Sequence, residues 1–225
     1  MEKVKGSPQP FGAAVESSRI NFAVQVPAGK SCELLLYKAG EDSPEYCFAM
    51  PEEEGIGEVR VLAIENIRAS KYEYNFRIGG RVCVDPYVKE VAGRENFGSP
   101  RDVQKHQVRG KLVSREYDWE GDERLHIPWH QVTAYTFHVR GFTKHSSSRV
   151  PHKGTYRGVI EKLPYLKDLG INQIQCMPVY EFDECTGKKI NYWGYGPAYY
   201  FAPKEAYAAG KSAVYVLKAM VKACP

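Results

Sequence analysis

Between residues 191 and 203 the chain concentrates aromatic rings, glycine and proline, in the order Asn-Tyr-Trp-Gly-Tyr-Gly-Pro-Ala-Tyr-Tyr-Phe-Ala-Pro. An aromatic side chain offers a flat apolar face with a polar tip, which suits the C–H faces and the hydroxyl rim of a pyranose ring. Gly194 and Gly196 allow sharp turns between the rings, and Pro197 makes the exit rigid. The pattern predicts a sugar-binding loop, and composition alone leaves a packed aromatic turn equally open.

A second group of residues has the chemistry for acid and base work. It consists of three carboxylates and two imidazoles: Glu181, Asp183, Glu184, His138 and His145. A carboxylate and a histidine can share proton transfer when they lie within hydrogen-bond reach. Three acids in one loop more often form a solvated face, however, and a histidine inside an apolar strand is more often a core residue with satisfied hydrogen bonds. We therefore expect no independent catalysis from this group.

Composition indicates a folded protein of one large or two modest domains, with 225 residues of which 43% are hydrophobic. The formal net charge of +4 is small and spread along the chain, which argues against a nucleic-acid partner. The N-terminus lacks the apolar core of a signal peptide, and no apolar run is long enough to cross a bilayer. We expect no membrane partner and a cytoplasmic location.

The cysteines are scattered, and no histidine stands at zinc-finger spacing from any of them. The six positions are Cys32, Cys47, Cys83, Cys176, Cys185 and Cys224. We expect reduced thiols, with Cys32, Cys83 and Cys176 packed inside strands as small hydrophobic residues. Neither a metal nor a cofactor is predicted.

The first part of the chain reads as short strands separated by turn residues. Residues 19–26 alternate strictly, with Ile20, Phe22 and Val24 on one face, and further strands are predicted at 32–37, 46–50, 58–64 and 72–78. The dipeptide at 79–80, Gly-Gly, suits a tight hairpin turn. Short strands with no helical period between them predict an immunoglobulin-like antiparallel β-sandwich, which we assign to residues 1–92.

Residues 93–130 form a charged and polar connector with weak periodicity, including Arg101, Asp102 and Lys105. A connector of this length is unusual inside a compact domain. We expect it to cross the sandwich and to be anchored by the indoles of Trp119 and Trp129.

After the connector the pattern changes to that of a βαβ unit, with strands at 132–139 and 171–177 around a helix at 156–169. Pro164 interrupts the helix and predicts a kink or a new helix, and Gly170 suits a left-handed C-terminal cap. A further helix is predicted at 212–223 with Ser212 as its N-cap. Two parallel strands and two helices cannot close a sheet, so the second domain, 131–225, is expected to be incomplete.

Three motifs in this order carry a family resemblance: Thr136-Phe137-His138-Val139-Arg140-Gly141-Phe142-Thr143, then Lys153-Gly154-Thr155-Tyr156, then Asn191-Tyr192-Trp193-Gly194-Tyr195. The chain resembles the α-amylase superfamily of glycoside hydrolases, in its glycogen-debranching, isoamylase and pullulanase branch. The resemblance implies an N-terminal fragment: a starch-binding-type β-sandwich, then an incomplete (β/α)₈ barrel of about two βα units. Relatives often carry an acidic residue where Gly141 stands and glutamate where Thr136 stands, which leaves the subfamily open.

The resemblance also implies an activity for the parent enzyme, hydrolysis of α-1,6-glucosidic bonds in glycogen or starch. Retaining hydrolysis needs two carboxyl groups about 5 Å apart. In the family these come from later barrel strands, beyond Pro225, so this chain is expected to bind an α-glucan and not to cleave it. By position Tyr195 inherits the sugar-stacking role, with Trp193 packed beneath the loop and Tyr192 and Asn191 completing the substrate-binding set.

Other functions stay open at this point. The chain could be a free-standing glucan-binding module, with Tyr46, Tyr72 and Tyr74 as the candidate aromatics of the sandwich. It could be a structural collar, or a fragment of an α-glucan branching transferase, which shares the early motifs. An incomplete barrel also predicts self-association through an exposed apolar face that includes Ile174, Val216, Leu217 and Met220.

Overall fold

The structure, a computed structural model, describes residues 1–99, 108–186, 189–210 and 212–224. The chain divides into two compact units. The first comprises Met1–Gly93, Arg101–Glu116 and Tyr199–Ala202, and the second comprises Arg94–Pro100, Tyr117–Ala198 and Pro203–Pro225. The connector positions Arg101, Asp102 and Lys105 lie outside the described residues.

Two antiparallel sheets make up the first unit. One sheet has the order β1-β6-β3-β2 and the other the order β5-β4-β7-β10-β9, with β8 also paired to β7. The strands are β1 (Glu2–Val4), β2 (Gly12–Glu16), β3 (Arg19–Gln25), β4 (Cys32–Lys38), β5 (Tyr46–Ala49), β6 (Val59–Glu65), β7 (Tyr72–Ile78), β8 (Arg81–Cys83), β9 (Val91–Ala92) and β10 (Arg109–Lys111). The five strands predicted from the sequence between residues 19 and 78 are confirmed.

Period-two alternation explains why the two sheets pack face to face. Phe22 of β3 and Leu62 of β6 meet Leu34 of β4 and Phe76 of β7 in one buried cluster, so each sheet contributes one face to a shared core. At the β7–β8 hairpin both glycines of the Gly-Gly pair have positive φ, which confirms the predicted turn.

A buried hydrogen bond crosses the core of the first unit. The Tyr74 hydroxyl donates to Asp85 Oδ2 at 2.6 Å, and Asp85 Oδ1 accepts from the Tyr87 amide at 2.8 Å. Burial raises the pKa of Asp85, against the lowering effect of these two hydrogen bonds. The carboxylate of Asp85 therefore fixes the corner formed by residues 85–87, which follows β8.

The second unit mixes short strands and short helices. Its elements are β11 (Ala134–Phe137), α1 (Val139–Lys144), α2 (Tyr156–Ile160), α3 (Leu163–Asp168), β12 (Gln173–Cys176), β13 (Tyr180–Phe182), β14 (Cys185–Thr186), β15 (Lys189–Ile190), β16 (Pro197–Pro203, whose residues 199–202 group with the first unit) and α4 (Ala213–Lys222). β11 and β12 pair in parallel, with Ala134 opposite Gln173 and Phe137 opposite Cys176. The predicted βαβ unit is therefore present.

Proline and glycine break the crossover helix where the sequence indicates. The helix ends at Ile160, and α3 begins at Leu163 with Pro164 in its first turn, so the prediction of a new helix near this proline is confirmed. Gly170 has φ +78, and the Ile171 amide donates to the Leu166 carbonyl, which is the expected left-handed C-terminal cap. Ser212 caps α4 by accepting from the Tyr215 amide.

Three expectations differ from the structure. The first predicted strand ends at Phe137 because His138 accepts a hydrogen bond from the Gly141 amide and so begins α1. Trp129 is not buried as an anchor would be, since it lies in a 3-10 turn and is 87% exposed. Trp119 packs on Tyr117 within the second unit instead.

The predicted apolar face of the second unit is also only partly exposed. Val216 and Met220 of α4 are buried in the core of this unit, together with Phe137, Val159 and Leu166. Ile174 and Leu217 are half-buried against the same core. The helices cover one side of the strand pair, so these four residues do not form an open patch.

Candidate functional site

The aromatic turn at 191–196 is held by hydrogen bonds from its backbone amides, one to the preceding segment and one within the turn. The Asn191 amide donates to the Glu184 carbonyl at 2.7 Å, and Asn191 Oδ1 accepts from the Gly194 amide at 3.2 Å. Gly194 has φ +84, and a Cβ there would lie 2.7 Å from the Phe182 ring. The turn therefore requires glycine, and the Asn191 side chain is occupied in shaping it.

Tyr192 joins this turn to the end of β11. Its ring stacks on the imidazole of His138, with centroids 4.5 Å apart and an interplanar angle of 20°. Its carbonyl oxygen lies 2.9 Å from His138 Nε2. Tyr192 is thus a docking residue of the turn, in contact with the strand end where a parallel α/β unit places its functional groups.

Trp193 and Tyr195 face outward from the same turn. Trp193 is 57% exposed and Tyr195 is 65% exposed, so Trp193 does not pack beneath the loop as expected from the sequence. The Trp193 ring meets Tyr192 edge-on, at 5.7 Å and 85°, and His138 edge-on, at 6.4 Å and 89°. These two rings present the apolar faces and polar tips that a pyranose ring requires.

The second half of the aromatic stretch belongs to a strand. Phe201 of β16 stacks on Tyr87 at 5.4 Å, and Lys89 Nζ lies 4.3 Å from the Phe201 centroid. Tyr87 stacks in turn on Phe11 at 5.0 Å. Residues 191–196 therefore form a turn with exposed rings, and residues 197–203 form a strand in which the Phe201 ring packs on Tyr87.

A buried ion cluster underlies the turn. Lys204 Nζ donates to Glu181 Oε1 at 2.6 Å and to the Phe182 carbonyl at 2.9 Å, and it lies 2.8 Å from Glu184 Oε1. All three charged side chains are completely buried. The ammonium group thus donates two hydrogen bonds, and Glu184 forms an ion pair with it.

The expectation of a solvated acidic face is wrong for two of the three acids. Glu181 and Glu184 are buried around Lys204, and only Asp183 keeps an exposed side chain. Burial raises the pKa of Glu181, while Lys204, the Glu205 amide and Arg94 lower it. Since an ammonium group bridges the two carboxylates, they are arranged for structure and not for proton transfer.

Sequence reasoning missed Lys204 and Arg94, which complete this cluster. Arg94 Nη1 donates to the Phe182 carbonyl at 3.2 Å and lies 3.5 Å from Glu181 Oε1. Arg94 stands 87 positions before Glu181 in the sequence. No periodicity or short motif links residues at that separation, so only the fold could bring them together.

The aromatic candidates of the sandwich separate by burial. Tyr74 is a core residue bonded to Asp85, and Tyr72 is half-buried against the core. Tyr46 keeps 37% of its surface exposed, with Phe48 stacked at 5.9 Å. Of these three tyrosines, Tyr46 is therefore the one whose ring is open to solvent.

The cysteines are free thiols, and burial raises the pKa of Cys32 to about 12 and that of Cys176 to about 11. Within the described ranges, no three His, Cys, Asp or Glu side chains group to hold a metal ion. No helix of the described residues has the length and apolar character to span a membrane.

Comparison with known proteins gives relatives over nearly the whole chain. The chain is 34% identical to "Isoamylase 1, chloroplastic" of Oryza sativa subsp. japonica, over 91% of its own length and 28% of that protein. It is 29% identical to the "Glycogen debranching enzyme" of Enterobacter sp. (strain 638), over 91% of its length and 35% of that protein. No protein-family model matches the chain.

Solved structures share the fold. A mutant pullulanase of Paenibacillus barengoltzii complexed with maltotetraose superimposes with a TM-score of 0.77, at 20% identity, over 96% of this chain and 36% of that one. The chain spans about a third of the length of the curated relatives it matches. The two-unit architecture is therefore one that a pullulanase also contains.

Proposed function

The chain is related to the isoamylases and glycogen debranching enzymes of the α-amylase superfamily, and we propose that it supplies the glucan-facing aromatic wall of a debranching hydrolase. The carrying observation is the exposed turn at 191–196, fixed at the end of β11 in a chain that aligns with these enzymes over nine-tenths of its length. The reaction of the whole enzyme would be hydrolysis of α-1,6-glucosidic bonds in glycogen or starch, with catalytic carboxylates supplied by residues outside the 225.

Within this proposal the residues have separate roles. Tyr195 supplies the ring on which a glucose unit stacks, and Trp193 supplies a second apolar face, because these two rings are exposed. Tyr192 and Asn191 act through the turn, since both are engaged with His138 or with the loop backbone. Glu181 and Glu184 take no part in proton transfer, because Lys204 lies between them.

The domain assignment forms part of the same proposal. Residues 1–92 would be an immunoglobulin-like, starch-binding-type module, 93–130 a linker, and 131–225 the first part of a (β/α)₈ barrel. The parallel β11–β12 pair with its connecting helices supports the barrel assignment. The exposed ring of Tyr46 supports glucan binding by the sandwich. A cytoplasmic location is supported by free thiols at all six cysteines.

Self-association is the remaining part of the proposal. Among the described residues β11 and β12 pair only with each other, so each keeps an open edge. Open edges, and not the apolar side chains of α4, would drive association. Static light scattering at high protein concentration checks this, and a monodisperse monomer would contradict it.

The central test is a titration of the 225-residue chain with maltotetraose, in which isothermal titration calorimetry measures the affinity. Replacing Tyr195 by Ala removes a stacking ring and is expected to lower the affinity by about 3- to 10-fold, the size of an aromatic stacking contribution. Tyr165→Ala, at an exposed tyrosine of α3, is the matched control and should leave the affinity unchanged. Equal losses in both variants, or none in Tyr195→Ala, would contradict the assignment.

A second assay addresses catalysis. Incubation of the chain with pullulan or glycogen is expected to release no reducing ends. Release of reducing ends that is abolished by Glu181→Gln would overturn the structural role given to that carboxylate.

A further inference from the structure

We propose that His138 is a positioning residue: its neutral imidazole, with the proton on Nε2, fixes the backbone and ring of Tyr192 and so sets the orientation of Trp193 and Tyr195. This inference deepens the proposed role of the aromatic turn and rests on it for its functional meaning. The positioning itself is a property of the protein without sugar, and it is measured without sugar.

Hydrogen bonds fix the tautomer of this histidine. His138 Nδ1 accepts from the Gly141 amide at 3.0 Å, as the N-cap of α1. A backbone N–H can only donate, so Nδ1 carries no proton and the neutral ring carries its proton on Nε2. Nε2 then donates to the Tyr192 carbonyl at 2.9 Å. One imidazole therefore joins the start of a helix to the middle of the aromatic turn.

Ring packing reinforces the same contact. The Tyr192 ring lies over the imidazole at 4.5 Å, and a Cβ at position 141 would lie 2.8 Å from the Tyr192 hydroxyl. Gly141 thus leaves the space that the tyrosine occupies. Phe97 packs edge-on against Tyr192 at 6.2 Å from another side. Tyr192 therefore contacts His138 through both its backbone and its ring.

The surroundings of His138 favour the neutral ring. His138 is 6% exposed, and burial lowers its pKa from the ordinary value of 6.5, opposed by the Tyr192 hydrogen bond and assisted by Arg140. The Tyr207 hydroxyl lies 3.1 Å from Nε2. Protonation would place a second donor on Nδ1 against the Gly141 N–H, so the charged ring cannot keep both hydrogen bonds.

Trp193 provides a local reporter, because it follows Tyr192 directly and touches the edge of its ring. The other tryptophans, Trp119 and Trp129, can be replaced by Phe to leave Trp193 as the single indole. Trp129 is largely exposed, so its removal costs little packing. The observables are the emission maximum of Trp193 and its quenching by acrylamide, between pH 5 and 8.

Two substitutions separate the contacts of the imidazole. His138→Asn keeps a side-chain oxygen that can cap the Gly141 amide and removes the Nε2 donor, whereas His138→Gln carries its amide donor further toward Tyr192. His145→Asn is the matched control, because His145 also caps a turn, accepting from the Ser147 amide at 3.2 Å, but lies exposed and away from Tyr192.

The expected result is an increase of about 1.5- to 2-fold in the quenching constant of Trp193 in His138→Asn, a size typical of a loop that opens locally while the protein stays folded. His138→Gln should restore part of the protection, and His145→Asn should match the parent. In the parent, quenching should rise as the pH falls below 6.5, and this step should be absent in His138→Asn.

Unchanged quenching in folded His138→Asn, or an acid step that persists in that variant, would overturn the proposal. If His138→Asn does not fold, the chain with His138 intact tests the proposal. A rise in Trp193 quenching below pH 6.5, with constant far-UV circular dichroism, supports the positioning role. The absence of this rise refutes it. Failure of the glucan proposal looks different, since Tyr195→Ala would then leave maltotetraose affinity unchanged while the quenching results stand.

Discussion

Both units are rich in aromatic residues, and the core of the sandwich and the turn at 191–196 use them in opposite ways. In the first unit Phe22, Tyr74 and Phe76 lie in the core, and the one polar tip among them is bonded to Asp85. In the second unit the turn at 191–196 leaves Trp193 and Tyr195 open to solvent. The sandwich rings are held by hydrophobic burial, whereas the rings of the turn gain little from it.

The difference shows what an exposed aromatic surface needs for its support. A turn that presents its rings to solvent cannot be held by burying them, so polar groups beneath it must fix the backbone. Here the Lys204 ion cluster lies below the turn, and His138 holds Tyr192. Stability and ligand binding should therefore depend on different residues in the second unit.

The largest expected effect comes from breaking the ion cluster. Lys204→Met leaves Glu181 and Glu184 buried without their cation and should lower the free energy of unfolding of the second unit by about 3–5 kcal/mol. Urea titration followed by tryptophan fluorescence measures this, since Trp119, Trp129 and Trp193 all lie in the second unit.

The control for this substitution is Lys222→Met, which removes a lysine paired with the exposed Glu120. Solvent screens an exposed pair and leaves it little net stabilisation, so Lys222→Met should unfold almost as the unsubstituted chain does. If the two variants unfolded at the same urea concentration, the cluster would not be what supports the turn.

The sandwich core should show a smaller loss. Tyr74→Phe keeps the ring but removes the donor to buried Asp85, and we expect a loss of about 1–3 kcal/mol, measured by far-UV circular dichroism. Because the pKa of Asp85 is raised, the folded protein buries this carboxyl group at least cost when it is protonated, at low pH. The loss of unfolding free energy in Tyr74→Phe should therefore grow as the pH rises through the pKa of Asp85. Tyr72→Phe, at a half-buried ring, is the control and should change little.

A second pH-dependent effect is expected in the second unit. The pKa of His138 is lowered, so the unfolded chain binds a proton more readily than the folded one, and folding is stabilised most above pH 6.5. This contribution should be lost as the pH falls from 6.5 through the lowered pKa. The difference in unfolding free energy between the parent and His138→Asn should shrink over that range, and a constant difference would contradict the assignment.

The smallest stability effect should come from Tyr195, the ring that we propose as the sugar-stacking residue. Tyr195→Ala should change the unfolding free energy by less than about 0.5 kcal/mol, because the side chain is exposed, while it weakens maltotetraose binding. A large loss of stability in this variant would show that the ring is a packing residue, which is the alternative that composition left open. The contrast between the buried rings of the sandwich and the exposed rings of the turn would then no longer hold.

Local patterns were sufficient for much of the fold. Strict alternation predicts β3, and Pro164 and Gly170 mark the helix break and the helix end, because each of these effects acts over a few residues. The resemblance in the motifs around His138 and Asn191 was confirmed by relatives aligned over more than nine-tenths of the chain. The aromatic turn was placed by the same motifs.

What the sequence alone determined is the five sandwich strands between residues 19 and 78, the helix break at Pro164, the helix end at Gly170 and the position of the aromatic turn, since alternation, proline, glycine and ring content are local properties. Only the tertiary structure decided that Glu181 and Glu184 are buried around Lys204, and that His138 holds Tyr192 across a separation of 54 residues. Burial and pairing of charges depend on segments far apart in the chain, and no local pattern records which segments meet.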